Sequence, residues 1–180
     1  MRRLLRYTVV LSALFALGGC GFHLRSAPSL PENVKSVLIT SARAHAPLAR
    51  ALHNRLTVYG LNGVYQQDST SSNDGVSLYL LPEKLERRLL SVYASGQVAE
   101  YELIYTVRYR VQFPDEEAIM ATFDVMRDYQ DDPDQVLAKS RELELVLDEM
   151  RAEAADIIIR RLSSQASAAK LASLPKPIFQ

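Results

Sequence analysis

Few side chains in this 180-residue chain could do covalent or metal chemistry: one cysteine, Cys20, and three histidines, His23, His45 and His53. A lone cysteine excludes an internal disulfide framework and every multi-cysteine metal site. None of the histidines stands at ligand spacing from another, and HExxH is absent, so no metal is expected. The seven glycines form neither a P-loop nor GxGxxG, and no serine lies in GxSxG. The carboxylates Glu142, Glu144, Asp148, Glu149 and Glu153 fall on a strongly helical segment whose opposite face is apolar. That is the pattern of a solvated helix surface rather than of a catalytic acid–base pair. No catalytic residues are expected, and the chain reads as a non-enzyme.

Cys20 gains meaning from what precedes it. Residues 1–6 are basic at three positions, Tyr7 to Leu17 is an apolar run of 11 residues, and Gly18 and Gly19 stand just before the cysteine. The run is too short for the roughly 20 residues that cross a bilayer, so residues 1–19 read as a cleaved signal peptide. Leu17-Gly18-Gly19-Cys20 resembles the bacterial lipobox, whose cysteine is acylated and becomes the new N-terminus. Several acyl chains, at about 0.8 kcal/mol per buried methylene, make a stable membrane anchor. A covalent lipid at Cys20 is then the only non-protein group expected, with no other cofactor. Gly21 stands where inner-membrane-retained lipoproteins of many Gram-negative bacteria carry Asp, which points to the periplasmic face of the outer membrane. Cleavage removes three arginines and no acid, and takes the balance of 21 basic and 21 acidic residues to a net charge of −3.

The rest of the chain must supply whatever positions a binding surface. Residues 20–33 carry Pro28 and Pro31 among small and polar residues and read as a tether. Val34 to Thr40 is a β-branched strand candidate. Pro47 can open a helix, with Leu48, Leu52, Leu56 and Tyr59 on one face, and Gly60 and Asn62-Gly63 end it. Residues 68–75 form a polar loop. One strand is expected over Val76 to Tyr93, turning at Ala94-Ser95-Gly96-Gln97 into the strongest signal of the chain. From Tyr101 to Phe113 every odd position is apolar or aromatic, the mark of a half-buried strand. Ala118 to Tyr129 follows, with Ile119, Ala121, Phe123 and Val125 sharing a face. Asp132-Pro133-Asp134-Gln135 opens a helix of about thirty residues, whose apolar face runs through Val136, Ser140, Leu143, Leu147, Met150, Ala154 and Ile157. The order β-α-β-β-β-α over residues 34–163 predicts one α+β domain. It is a two-layer sandwich, a mixed four-stranded sheet with two helices packed on one face. Residues 164–180 are expected to be a disordered tail.

Basic side chains recur on these elements: Lys84, Arg87 and Arg88 on the second strand, Arg108 and Arg110 on the third, Arg127 on the fourth and Lys139 at the start of the long helix. Solvated surface is the default reading of each, and a patch drawn from neighbouring strands can still hold anionic groups despite the net negative charge. Export from the cytoplasm removes nucleic acid from consideration.

Cys20-Gly21-Phe22-His23-Leu24-Arg25, Gly96-Gln97-Val98-Ala99-Glu100-Tyr101, and Asp132-Pro133 followed by Leu137-Ala138-Lys139 and later Ile159-Arg160-Arg161-Leu162 together resemble the LptE family of lipopolysaccharide-assembly lipoproteins. The resemblance covers nearly the whole mature chain to about Leu162. It implies a non-enzymatic protein of the outer membrane that plugs the lumen of the LptD β-barrel in a 1:1 complex, assists its assembly, and binds lipopolysaccharide. Lys139, inside a matching segment, is the first candidate for contact with lipopolysaccharide phosphates, with Arg127 second and Arg88 chosen on charge alone. A lipoprotein that scaffolds another envelope complex remains the alternative. If Cys20 carries the anchor, Cys20→Ala should lose incorporated palmitate. In cells lacking the proposed barrel it should move from the outer-membrane fraction to the periplasm; retention there would overturn the assignment.

Overall fold

A computed structural model describes residue 30, residues 36–65 and residues 75–172. The expected signal peptide (residues 1–19), Cys20, nearly all of the expected tether, residues 68–74 of the expected polar loop and residues 173–180 lie outside them.

The alternation that begins at Tyr101 builds the longest strand, β5 (Val98–Gln112), which follows β1 (Val37–Ser41), β2 (Gly63–Tyr65), β3 (Val76–Leu80) and β4 (Lys84–Val92) and precedes β6 (Ile119–Gln130). Among the described residues two α-helices accompany the strands, α1 (Pro47–Val58) and α2 (Val136–Ala172), the latter preceded by a 3-10 turn at Pro133–Gln135. The fold is α+β with a mixed sheet, as the sequence predicts, but the sheet has six strands rather than four. β2 is the first addition, a three-residue strand parallel to β1. The second comes from the expected strand over Val76 to Tyr93, which is two strands. Pro82 has no N–H to give a ladder, and the chain leaves β5 there. β3 pairs antiparallel with residues 109–112 of β5, β4 with residues 98–106, and β6 runs along the opposite edge from Glu100 to Val111. β1 lies between β2 and β3, parallel to both.

Both helices cover one face of this sheet. Val37, Ile39, Leu78, Leu80, Leu103, Tyr105, Val107, Tyr109 and Val111 point into the core from the strands. They meet Leu48, Leu52 and Leu56 of α1 and Met150, Ala154, Ile158 and Leu162 of α2. In α2 the predicted face holds at Leu143, Leu147, Met150, Ala154 and Ile157, which are buried or packed against the core, but it also takes in Ala155, Ile158 and Ile159, and Val136 at its start is 67% exposed. The helix also continues through Ala172, so residues 164–172 are helical and not part of a disordered tail. No described helix is long and apolar enough to cross a membrane.

The end of α1 follows from its sequence. Gly60, at φ +69°, donates from its N–H to Thr57 O at 3.0 Å, and Leu61 N–H donates to Leu56 O at 2.8 Å. This pair of bonds satisfies the last carbonyls of the helix. At its start Ala46 offers no side-chain cap, and the carboxylate of Glu83 fills the role, accepting from Leu48 N–H at 3.0 Å. The two helices are joined through Asp156, which accepts from Arg55 Nη2 at 2.7 Å and from Tyr59 Oη at 3.0 Å.

Burial pushes the phenols of Tyr105 and Tyr109 above their ordinary value near 10, and at Tyr59 the hydrogen bond to Asp156 does so first. Above about pH 10 the unfolded chain releases these protons before the folded one does, so stability must fall as pH rises. The unfolding midpoint is expected to decline above about pH 10, and the Tyr105→Phe/Tyr109→Phe double variant to decline less steeply. An equal slope in both proteins would remove these phenols as the cause.

Candidate functional site: a cationic and apolar end of the sheet

Basic and aromatic side chains meet where the β4–β5 hairpin, the end of β6 and the first turns of α2 come together. The connection from β6 to α2 is locally determined. Asp132, in an extended conformation, accepts from Asp134 N–H at 3.0 Å and from Gln135 Nε2 at 2.7 Å. The predicted cap therefore forms, although it opens the 3-10 turn from which α2 continues. Tyr93 Oη donates to Asp131 O at 3.1 Å and Asp131 N–H to Ala99 O at 2.9 Å, which ties the hairpin tip to this connection. Tyr129 Oη donates to Lys139 O at 2.6 Å and holds the start of α2 against β6.

Lys139 is pinned on two sides. Its Nζ lies 2.9 Å from Glu142 Oε2 and 5.5 Å from the centre of the Tyr129 ring. The hydrogen bond to Glu142 raises the ammonium above its ordinary value, so it is charged throughout the physiological range. Arg87 holds its guanidinium 6.0 Å from the Tyr101 ring, at the outer limit of a cation–π contact. It has no ion-pair partner among the described residues. Tyr101 and Tyr129 are register partners on β5 and β6, and the charges of both Lys139 and Arg87 act on the Tyr129 phenol. Burial nonetheless raises that phenol. The same elements carry exposed apolar side chains: Leu89 and Val92 on β4, Tyr93 just after it, and Val136 and Leu137 at the start of α2, Leu137 at 80%. A surface of cations, rings and unburied aliphatic groups can hold a molecule that carries both anionic groups and hydrocarbon.

The three residues selected from sequence do not converge. Arg127 shares the helix-covered face with Lys139 but is engaged with Glu153 of α2 and gives a 3.0 Å hydrogen bond to Met126 O. Arg88 lies on the opposite, uncovered face, beside Glu102, with which it forms an ion pair. Arg87 is the residue that sequence reasoning passed over. The signal was present: side chains alternate along β4, and pairing Arg87 with Leu103 puts it on the core side of β5, where the odd residues point.

The lipopolysaccharide-assembly family model LptE matches residues 32–162. The chain is similar to the LPS-assembly lipoprotein LptE of Pectobacterium atrosepticum, at 32% identity over 87% of this chain and 84% of that one. It is similar to the lipoprotein of the same name from Photorhabdus laumondii, at 33% identity over 93% and 90%. Among solved structures it resembles the rare lipoprotein B of Shewanella oneidensis, with a TM-score of 0.66 at 38% identity, covering 75% of this chain and 98% of that one.

Proposed function

The chain belongs to the LptE family of lipopolysaccharide-assembly lipoproteins, and from that membership we propose that it is a non-catalytic plug and assembly partner of the LptD β-barrel that also binds lipopolysaccharide. Lipid at Cys20 would fix it to the periplasmic leaflet of the outer membrane, with the domain inside the barrel lumen. The observation that carries the lipid-binding part is the convergence of Lys139 and Arg87 over Tyr129 and Tyr101, beside exposed Leu89 and Leu137. Lipopolysaccharide offers the complementary chemistry, phosphates for the cations and acyl chains for the leucines. The barrel part rests on family membership. A domain with one helix-covered face and one polar strand face, where Arg108 and Arg110 are exposed, suits a polar lumen wall.

Affinity purification of the tagged lipoprotein from outer membranes should recover LptD in equal amount, and depletion should lower the level of assembled barrel and admit large hydrophobic antibiotics. Normal barrel levels after complete depletion would favour a scaffold for another complex. For the lipid, charge reversal at Lys139 or Arg87 should weaken binding of purified lipopolysaccharide by about tenfold or more, the scale of a charge-assisted hydrogen bond. The salt dependence should shrink with it. Arg88→Asp, on the opposite face, should leave the affinity unchanged. Equal losses at all three positions would reduce the effect to net charge.

A further inference from the structure

Two rows of side chains lead away from the cationic end. On β4, Leu89, Arg87 and Leu85 have Tyr101, Leu103 and Tyr105 as register partners, so all three point to the helix-covered side. On α2, Lys139, Leu143, Leu147 and Arg151 follow one another at four-residue steps and form one ridge. Both rows run from a cation through leucine to the same place, because Glu83, just before β4, is paired with Arg151 at 3.5 Å. Leu85 and Leu147 line a cavity of about 300 Å3, with Leu80, Tyr105 and residues 41–48 among its other walls. Arg87 therefore stands one strand repeat, about 7 Å, from the cavity wall at Leu85. Lys139 stands about two helical turns, or about 12 Å, from Leu147.

The polar groups around the cavity are engaged with one another. Glu83 accepts from Leu48 N–H at 3.0 Å and pairs with Arg151, Arg151 Nη1 donates to Asp148 Oδ1 at 2.7 Å, and the Tyr105 phenol faces Glu83 and Arg151. Ser41 Oγ donates to Arg43 O at 2.6 Å, and the side chains of Arg43 and His45 belong to exposed residues. What the interior offers a guest is carbon, from Ala44, Ala46, Leu80, Leu85 and Leu147. Leu85, on the way in from Arg87, is 36% exposed, a large aliphatic group left without full cover. An occupant that suits both places joins an anionic head, for Arg87 and Lys139, to a slender hydrocarbon, for the cavity. About 150 Å3 of apolar cavity holds a benzene molecule, so this one takes up to about twelve carbons of chain. We propose that an acyl chain of the lipopolysaccharide held at the cationic end passes Leu85 and is seated in this cavity, its end directed at the Glu83–Arg151 pair. The inference rests on the lipid-binding part of the function proposed above and adds where the hydrocarbon goes.

The test replaces Leu85 in the cavity wall, Leu137 at the cationic end or Met120 on the uncovered face with a photoreactive alkyl-diazirine amino acid, in the full-length lipoprotein in its native membranes. After irradiation the adducts are isolated, and tandem mass spectrometry assigns the attached atoms to a fatty acyl chain or to the phosphorylated sugars. Position 85 should yield a lipopolysaccharide adduct attached through an acyl chain, position 137 a lipopolysaccharide adduct, and position 120 none. Ala42→Trp and Ala44→Trp fill the cavity from its exposed wall. Whichever of the two keeps the adduct at 137, and so remains folded, should lose the one at 85. Attachment at 85 through sugar or phosphate, an adduct at 137 without one at 85, a chain at 85 that belongs to phospholipid, an equal yield at 120, or an unchanged yield at 85 in the filled cavity would overturn the proposal while leaving the functional reading in place. No lipopolysaccharide adduct at any of the three positions would overturn that reading as well.

Discussion

The alternation along β5 is the constraint on which the rest of the domain depends. β6 pairs with it without interruption from Glu100 to Val111, and β3 and β4 divide its other edge between them. A slip of one residue would turn Tyr105 and Tyr109 into water and bring Arg108 and Arg110 into the core. The aromatic residues make the correct register costly to leave. Tyr109 meets Phe123 edge to face at 6.3 Å, and Arg161 of α2 covers the Phe123 ring at 4.8 Å. On the other face Arg110 rests on Tyr79 at 5.3 Å, so each side of the sheet is specified by its own contacts.

The same alternation separates the basic residues into two populations. Arg87 and Lys139 belong to the helix-covered side, where aromatic rings and a helix start hold them, whereas Arg88, Arg108 and Arg110 belong to the uncovered side. Net charge cannot distinguish these populations, because a molecule with a balanced or slightly negative total still concentrates cations at one end. What gives that end its character is the pairing of cations with side chains that burial has left out, Leu89 and Leu137 above all.

Legibility from sequence tracks how local the cause of each feature is. The face of β5, the glycine end of α1 and the Asp132 cap rest on a few neighbouring residues, and each reads directly from the chain. The division of residues 76–93 at Pro82 was also written there, but a proline in a strand marks an interruption only once the partner strand is known. Strand β2, three residues long, has too little pattern to be read and exists because β1 offers it an edge. The α2 face reads directly through Leu143, Leu147, Met150, Ala154 and Ile157, but Ala155, Ile158 and Ile159 join it because alanines and isoleucines recur at several spacings, and contact with α1 and the sheet, rather than periodicity, selects among them. Arg87 and Arg88 look alike in sequence for a related reason: charge is a property of the residue, and the side of a sheet is a property of the register, which puts Arg87 beside Leu103 and Arg88 beside Glu102.

The cap that α1 borrows from Glu83 bears on how the chain matures. A helix of 12 residues without a cap of its own is marginal in water. Here the capping carboxylate arrives 35 residues downstream, and the Asp156 that fastens the other end follows 101 residues after Arg55. If the chain is exported N-terminus first, α1 reaches the far compartment long before either partner. It must wait in an open state until the β3–β4 corner and the middle of α2 have followed. In that order of arrival the leucine face of α1 would stay uncovered until both have come, and completion of the fold, rather than growth of the helix itself, closes that window.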